Sequence, residues 1–160
     1  MEHNALAVKI ALDNWNTTVA NTNKLLNELT DAQVGNDVAP GRNSGTYLLG
    51  HLTAVHDRML PLLGFEEQVH PHFNDVFLTS PDKSGKEMPS IAELRGHWND
   101  TNARLDTHFK SLQPIQWFER HTSVSIADFA KEPHRNRLGV LISRTNHLAN
   151  HLGQMVFLKN

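Results

Sequence analysis

The sequence predicts an all-α protein: one domain, residues 1–160, of four long amphipathic helices packed as a four-helix bundle. Three observations carry this. Apolar residues recur at i, i+3, i+4 and i+7 through four separate segments. No window alternates at period two over a strand's length with hairpin turn chemistry beside it. A chain of 160 residues, 39% hydrophobic and 20% charged, has the size and composition of a single domain that buries a core without staples.

The first segment spans about residues 4 to 29, with Leu12, Trp15, Val19, Leu26 and Leu29 on one seam and Asp13, Asn14, Asn21, Lys24 and Asn27 on a solvated face. A polar turn over residues 36 to 45 follows, whose Pro40, Gly41 and Gly45 stop the helix. Ser44 or Asn43 can cap the second segment, about 45 to 63, where Leu48, Leu52, Val55, Met59 and Leu62 form the stripe and Pro61 and Gly64 mark the end. Residues 65 to 89, with Pro71, Pro81 and Pro89, are a connection long enough for a functional loop or a crossover. The third segment opens on the capping box Ser90-Ile91-Ala92-Glu93 and continues through Leu94, Trp98, Thr101, Leu105 and Leu112, with Phe109 beside the seam. A second connection, 113 to 133, holds Pro114, Pro133 and a short helical turn at 125 to 131. The last segment, about 135 to 158, places Leu138, Leu141, Ile142, Thr145, Leu148, Leu152 and Val156 on its seam. Helices of roughly 19 to 26 residues are about 28 to 39 Å long, suited to side-by-side packing.

Composition removes several function classes. Without cysteine there is no disulfide scaffold, cysteine nucleophile, thiolate metal site or iron–sulfur cluster. With 15 Lys+Arg against 17 Asp+Glu the net charge is −2, so no basic footprint points to nucleic acid. The apolar runs are too short to span a membrane, and the N-terminus lacks a basic head followed by an apolar stretch. The expectation is a cytoplasmic protein. No phosphate loop, serine-nucleophile elbow or dinucleotide fingerprint is present.

The chain's 11 histidines are the chemistry-bearing residues. His147 and His151, four apart on a helix, stack on one face and can reach one ion. At this abundance chance supplies about one such pair, so the spacing alone decides nothing. Both precede seam leucines, Leu148 and Leu152, and His51 sits likewise between Leu48 and Leu52. A third ligand from a facing helix is how bundles build metal sites. Three imidazoles without a thiolate leave an open position, the catalytic pattern for zinc. Seam-edge histidines that merely pack or face solvent are the structural alternative.

The segments NSGTYLLGHLTAVHDRM (43 to 59) and RTNHLANHLGQMVFLK (144 to 159) resemble the DinB/YfiT-like superfamily. Its members carry a His early in the second helix and an H-x-x-x-H-x-G-Q signature in the last, here His51, His147, His151, Gly153 and Gln154. The resemblance implies an up-down-down-up four-helix bundle, one divalent ion on three histidines (zinc or nickel), and a homodimer. It also implies a small-molecule substrate. Characterised relatives are transferases and isomerases that use low-molecular-weight thiols. An open three-histidine site suits such chemistry, because a divalent ion lowers the pKa of a bound thiol or activates water, and the absent cysteine agrees with a sulfur supplied by the substrate. The expectation is therefore a metal-dependent enzyme of thiol-dependent group transfer. A metal-activated-water hydrolase and a non-catalytic metal-binding or interaction bundle are the alternatives.

Around the triad, Tyr47, Arg144 and Gln154 are candidate substrate-binding residues: Arg144 as a planar fork for an anion, Gln154 as an orienting amide, Tyr47 as a proton donor or contact one turn before His51. The competing readings are a solvated Arg144, an exposed Gln154 and a half-buried Tyr47. Gly153 reads as a small residue for close helix approach. His56, five residues from His51 and about 140° round the helix, reads as a surface or interface group, and Asp57 as solvated. His70 and His72 lie in a proline-containing loop without a clear partner, and His97 and His108 are edge residues. Trp15 and Trp98 read as core; Trp117 and Phe118 as pocket lining or a dimer contact.

Overall fold

A computed structural model describes residues 3–159. Among them the chain is all-helical with no strand: α1 His3–Glu28, α2 Asp31–Val34, α3 Gly45–Asp57, α4 Met59–Leu62, α5 Phe73–Phe77, α6 Ile91–Ser111, α7 Ile126–Lys131 and α8 Arg137–Met155, with 3₁₀ turns at Pro114–Phe118 and Val156–Lys159. The four long helices fall where the periodicity predicts them. No described helix is long and apolar enough to cross a membrane.

Three of the long helices, α3, α6 and α8, start at side-chain caps. Ser44 accepts from the Tyr47 amide, Ser90 and Glu93 close the capping box, and Asn136 accepts from the Gly139 amide. Each satisfies donors that the first helical turn leaves open. Helix α3 lies along α6 and α1 along α8, while α3 also meets α5 and α8. One hydrophobic cluster gathers Leu48, Leu52, Phe73, Phe77, Trp98 and Leu148; a second gathers Trp15, Met59, Leu105, Phe109, Trp117 and Leu141. Thr18, Thr22, Thr53 and Thr145 sit among these side chains because each hydroxyl donates to the carbonyl four residues back.

The structure departs from the sequence reading in several places. The second helix breaks at Arg58 instead of running to residue 63. Pro61 is the reason: it lacks the N–H that would reach the Asp57 carbonyl, and its ring crowds that carbonyl. The connection 65 to 89 holds a fifth helix, α5. Trp117 does not line a pocket; it is 1% exposed and packs edge-on against Phe109 at 5.2 Å. Gly153 is exposed, with no atom within 4 Å of where a Cβ would stand, so close helix approach does not explain it.

His56 and Asp57 are both fully buried, not solvated. The Asp57 carboxylate accepts from the Val69 and His70 amides at 2.9 Å each and from Gln68, clamping the loop after α4 onto the end of α3. The His56 ring lies between Trp15 and Trp98, with centroids 4.8 Å from each. Its Nδ1 donates to Asn102 Oδ1 at 2.9 Å, and Asn102 in turn donates to the Trp98 carbonyl.

Burial holds the His56 pKa down, from 6.5 to about 3, against the smaller raising effect of the Asn102 bond. The unfolded chain therefore binds a proton in acid that the folded chain refuses. Stability is full above about pH 6.5 and falls as the pH drops toward 3, at about 1.4 kcal/mol per unit. Urea unfolding of ion-free protein at pH 7 and pH 5 should show a loss of about 2 kcal/mol from this group. His56→Gln should flatten that slope; an unchanged slope in the variant would assign the acid sensitivity elsewhere.

Candidate metal centre

His51 stands near the middle of α3, six residues after its start, and its ring is fixed from outside the helix. Nδ1 donates to the Phe77 carbonyl at the end of α5, 2.9 Å away. That bond sets the tautomer and leaves a lone pair on Nε2. His151 on α8 is fixed in the same sense: Nδ1 lies 3.1 Å from Gln154 Oε1, an acceptor. His147, one turn earlier on α8, points its Nε2 between the other two, 3.1 Å from His51 Nε2 and 3.2 Å from His151 Nε2. The three rings cross at steep angles, with centroids 4.6 to 5.1 Å apart.

The three residues offer ligand atoms that lie within 4.8 Å of one another, a grouping that could hold a metal ion. Burial lowers the His51 pKa, countered in part by the Phe77 bond, with His151 and Arg144 lowering it further. Burial, then His151, His51 and Arg144, bring His147 down to about 4. Both rings are thus neutral near pH 7. His51 and His151 each aim a lone pair at His147 Nε2, while His147 Nδ1 is buried without a hydrogen-bond partner, so nothing on its far side holds that ring. Donor type, convergence and the His51 and His151 tautomers fit a divalent ion.

The surroundings divide the other sequence candidates. Arg144 and His147 line a cavity of about 500 Å³, together with His51, Arg58, Leu78 and Ser123. Tyr47 is buried and its ring stacks near His51, 6.2 Å between centroids. Its hydroxyl donates to the Ser80 carbonyl at 2.7 Å, with the Phe77 carbonyl at 3.3 Å. It therefore ties the segment carrying the Phe77 carbonyl onto α3. Gln154 holds His151 and lines a separate hollow with Phe157. His70 and His97 face each other at 4.2 Å, away from the triad, and His70 stacks on Phe73.

Two residues that the sequence reading missed belong here. Phe77 matters through its carbonyl; the signal was Phe73, Val76 and Phe77 at helical spacing two residues after Pro71. Arg58 stands seven residues after His51, two turns along one face, about 20° off.

Because Gln154 orients His151 from outside the ligand set, Gln154→Ala should weaken ion binding roughly 10- to 100-fold, the scale for lost outer partners of a ligating imidazole. Competition with a calibrated chelator measures this; unchanged affinity would show that the bond does not hold the ring.

A family model described as the DinB superfamily matches residues 14–155. A solved structure from Enterococcus faecalis, described as a conserved protein, shares the fold, with a TM-score of 0.64 at 17% identity. That likeness covers 99% of this chain and 95% of the other. No curated protein matches the sequence.

Proposed function

The chain belongs to the DinB superfamily, and from that premise we propose that it is a metal-dependent enzyme acting on a small molecule, by thiol-dependent group transfer, with His51, His147 and His151 holding one zinc or nickel ion. The observation that carries the reading is the convergence of three imidazole Nε2 atoms, with His51 and His147 at the wall of a cavity. Residues 1–160 are read as one domain, an up-down-down-up four-helix bundle. The pairing of α3 with α6 and α1 with α8 supports it, as does the long segment between α4 and α6. Exposed Leu6, Ile10 and Ile142 support a homodimer.

A divalent ion there supplies Lewis acidity, lowering the pKa of a thiol or a water. The protein supplies the rest. The Phe77 carbonyl and Gln154 hold the imidazoles, and three protein ligands leave a coordination position for substrate. Leu78 and Val55 give the cavity an apolar wall, which strengthens electrostatic contacts inside it. Arg144 lines the same cavity, where its guanidinium can meet a substrate anion.

The test is a turnover screen of zinc- and nickel-loaded protein with small thiols and a chromogenic electrophile, beside ion-free protein. Conjugate formed about tenfold or more faster with the ion supports thiol transfer. Faster loss of ester substrates without thiol would replace it with hydrolysis. Bound ion with neither activity would leave a non-catalytic metal-binding protein.

A further inference from the structure

Exposed Arg58 and half-buried Arg144 share one cavity wall and differ from the arginines tied into the fold. Arg95 donates to the Leu26 and Leu29 carbonyls and to Asp31, and Arg137 to the Leu63 and Gln116 carbonyls and to Glu119. Arg104 pairs with Asp100 and Glu66. Among the described residues, neither the Arg58 nor the Arg144 guanidinium has a hydrogen-bond or ion-pair partner. Arg144 is half-buried, yet its guanidinium nitrogens remain open to the cavity side, where they have no protein acceptor and can take one from a ligand.

Both side chains line the cavity that His51 and His147 also line, and no Asp or Glu lines it. Its volume, about 500 Å³, lies within the range of small-molecule sites. The register is shared as well: Arg58, the residue that caps the end of α3, is two turns from His51, and Arg144 lies three residues before His147 on α8. Burial and the neighbouring Arg58 charge lower the Arg144 pKa. Two cationic side chains on one cavity wall with no carboxylate in its lining favour a ligand that brings negative charge.

We propose that Arg58 and Arg144 form an anion subsite beside the three histidines, and that the substrate carries an oxyanion, a carboxylate or a phosphate, distal to the group that meets the ion. This rests on the metal reading above for the second half of the substrate. Guanidiniums bind either oxyanion through paired N–H groups, and the spacing from histidines to arginines makes the ligand bifunctional. A neutral analogue of the same length loses one end of its binding.

The test uses zinc-loaded protein and two matched thiols, 3-mercaptopropionate and 3-mercaptopropanol, in isothermal titration. The carboxylate should bind about tenfold or more tighter than the alcohol, the scale of one hydrogen bond to a charged group. Arg58→Gln and Arg144→Gln should each reduce that preference, and the double variant should abolish it, with bound zinc and the alcohol's affinity unchanged. Inorganic phosphate and propionate as competitors separate the two anions: the one that displaces mercaptopropionate at lower concentration is the chemistry of the subsite. Both anions are also titrated into ion-free protein, where binding lost in the Arg variants supports the subsite whether or not zinc is held. Equal affinity for the two thiols, a preference that survives in the double variant, or no anion binding in either form overturns it. Wild-type protein that holds no zinc overturns the metal reading instead.

Discussion

His147→Ala should empty the metal centre. Wild-type protein reconstituted with zinc or nickel and dialysed against a mild chelator should retain about one ion per chain, as a three-imidazole site does; the variant should retain background. His147 is the strongest choice because its Nε2 bridges the set, 3.1 Å from His51 and 3.2 Å from His151. Without it the remaining two nitrogens sit on different helices with no third donor between them. Loss of an outer partner costs roughly 10- to 100-fold in affinity, so loss of a ligand should exceed that. The ion also stabilises the fold by mass action, since only the folded chain brings α3 and α8 together. The wild-type melting temperature should therefore rise on adding the ion, and that of the variant should not. An ion retained at full stoichiometry by His147→Ala would mean that it binds elsewhere.

Gly50→Ala should be the most damaging single-methyl change near the site. A Cβ at residue 50 would overlap the Phe77 ring, which is fully buried and packs against Phe73 and Tyr47. Overpacking of this kind costs about 1–3 kcal/mol, and each kcal/mol lowers the melting temperature of a domain this size by about 2–4 °C. The chemical effect travels with it, because Phe77 holds His51 through its carbonyl. A displaced ring carries the backbone away from Nδ1, so ion affinity should fall together with stability. Gly153→Ala is the control. It lies on the exposed side of α8 with open space around it, and should be neutral or stabilising by up to about 1 kcal/mol through helix propensity. Thermal melts and chelator competition on both variants test the pair; a Gly50→Ala protein with unchanged ion affinity would uncouple the Phe77 carbonyl from the centre.

Local information made much of this legible. Helix spans, the Ser44 and Ser90 caps and the core roles of Trp15 and Trp98 follow from periodicity and capping chemistry, which act within a few residues. His147 and His151 share a face because four residues make one turn, and the motif around His51 named the third ligand. What lay beyond that reach were contacts between distant segments. His56 looked like a surface group by its angle from His51, yet α6 and α1 close Trp98 and Trp15 over it. Asp57 looked solvated, yet the loop at 68 to 70 returns to bind it.

The sequence by itself determined that this chain is helical, where its four long helices run, and which three imidazoles could share an ion. Only the tertiary structure decided that their Nε2 atoms meet, because the Phe77 carbonyl comes from a helix 26 residues further along the chain than His51. It also decided that Arg58 and Arg144 face one cavity without a carboxylate. Periodicity fixes which side of a helix a residue occupies; what stands opposite depends on how helices far apart in sequence pack, and no local pattern encodes that.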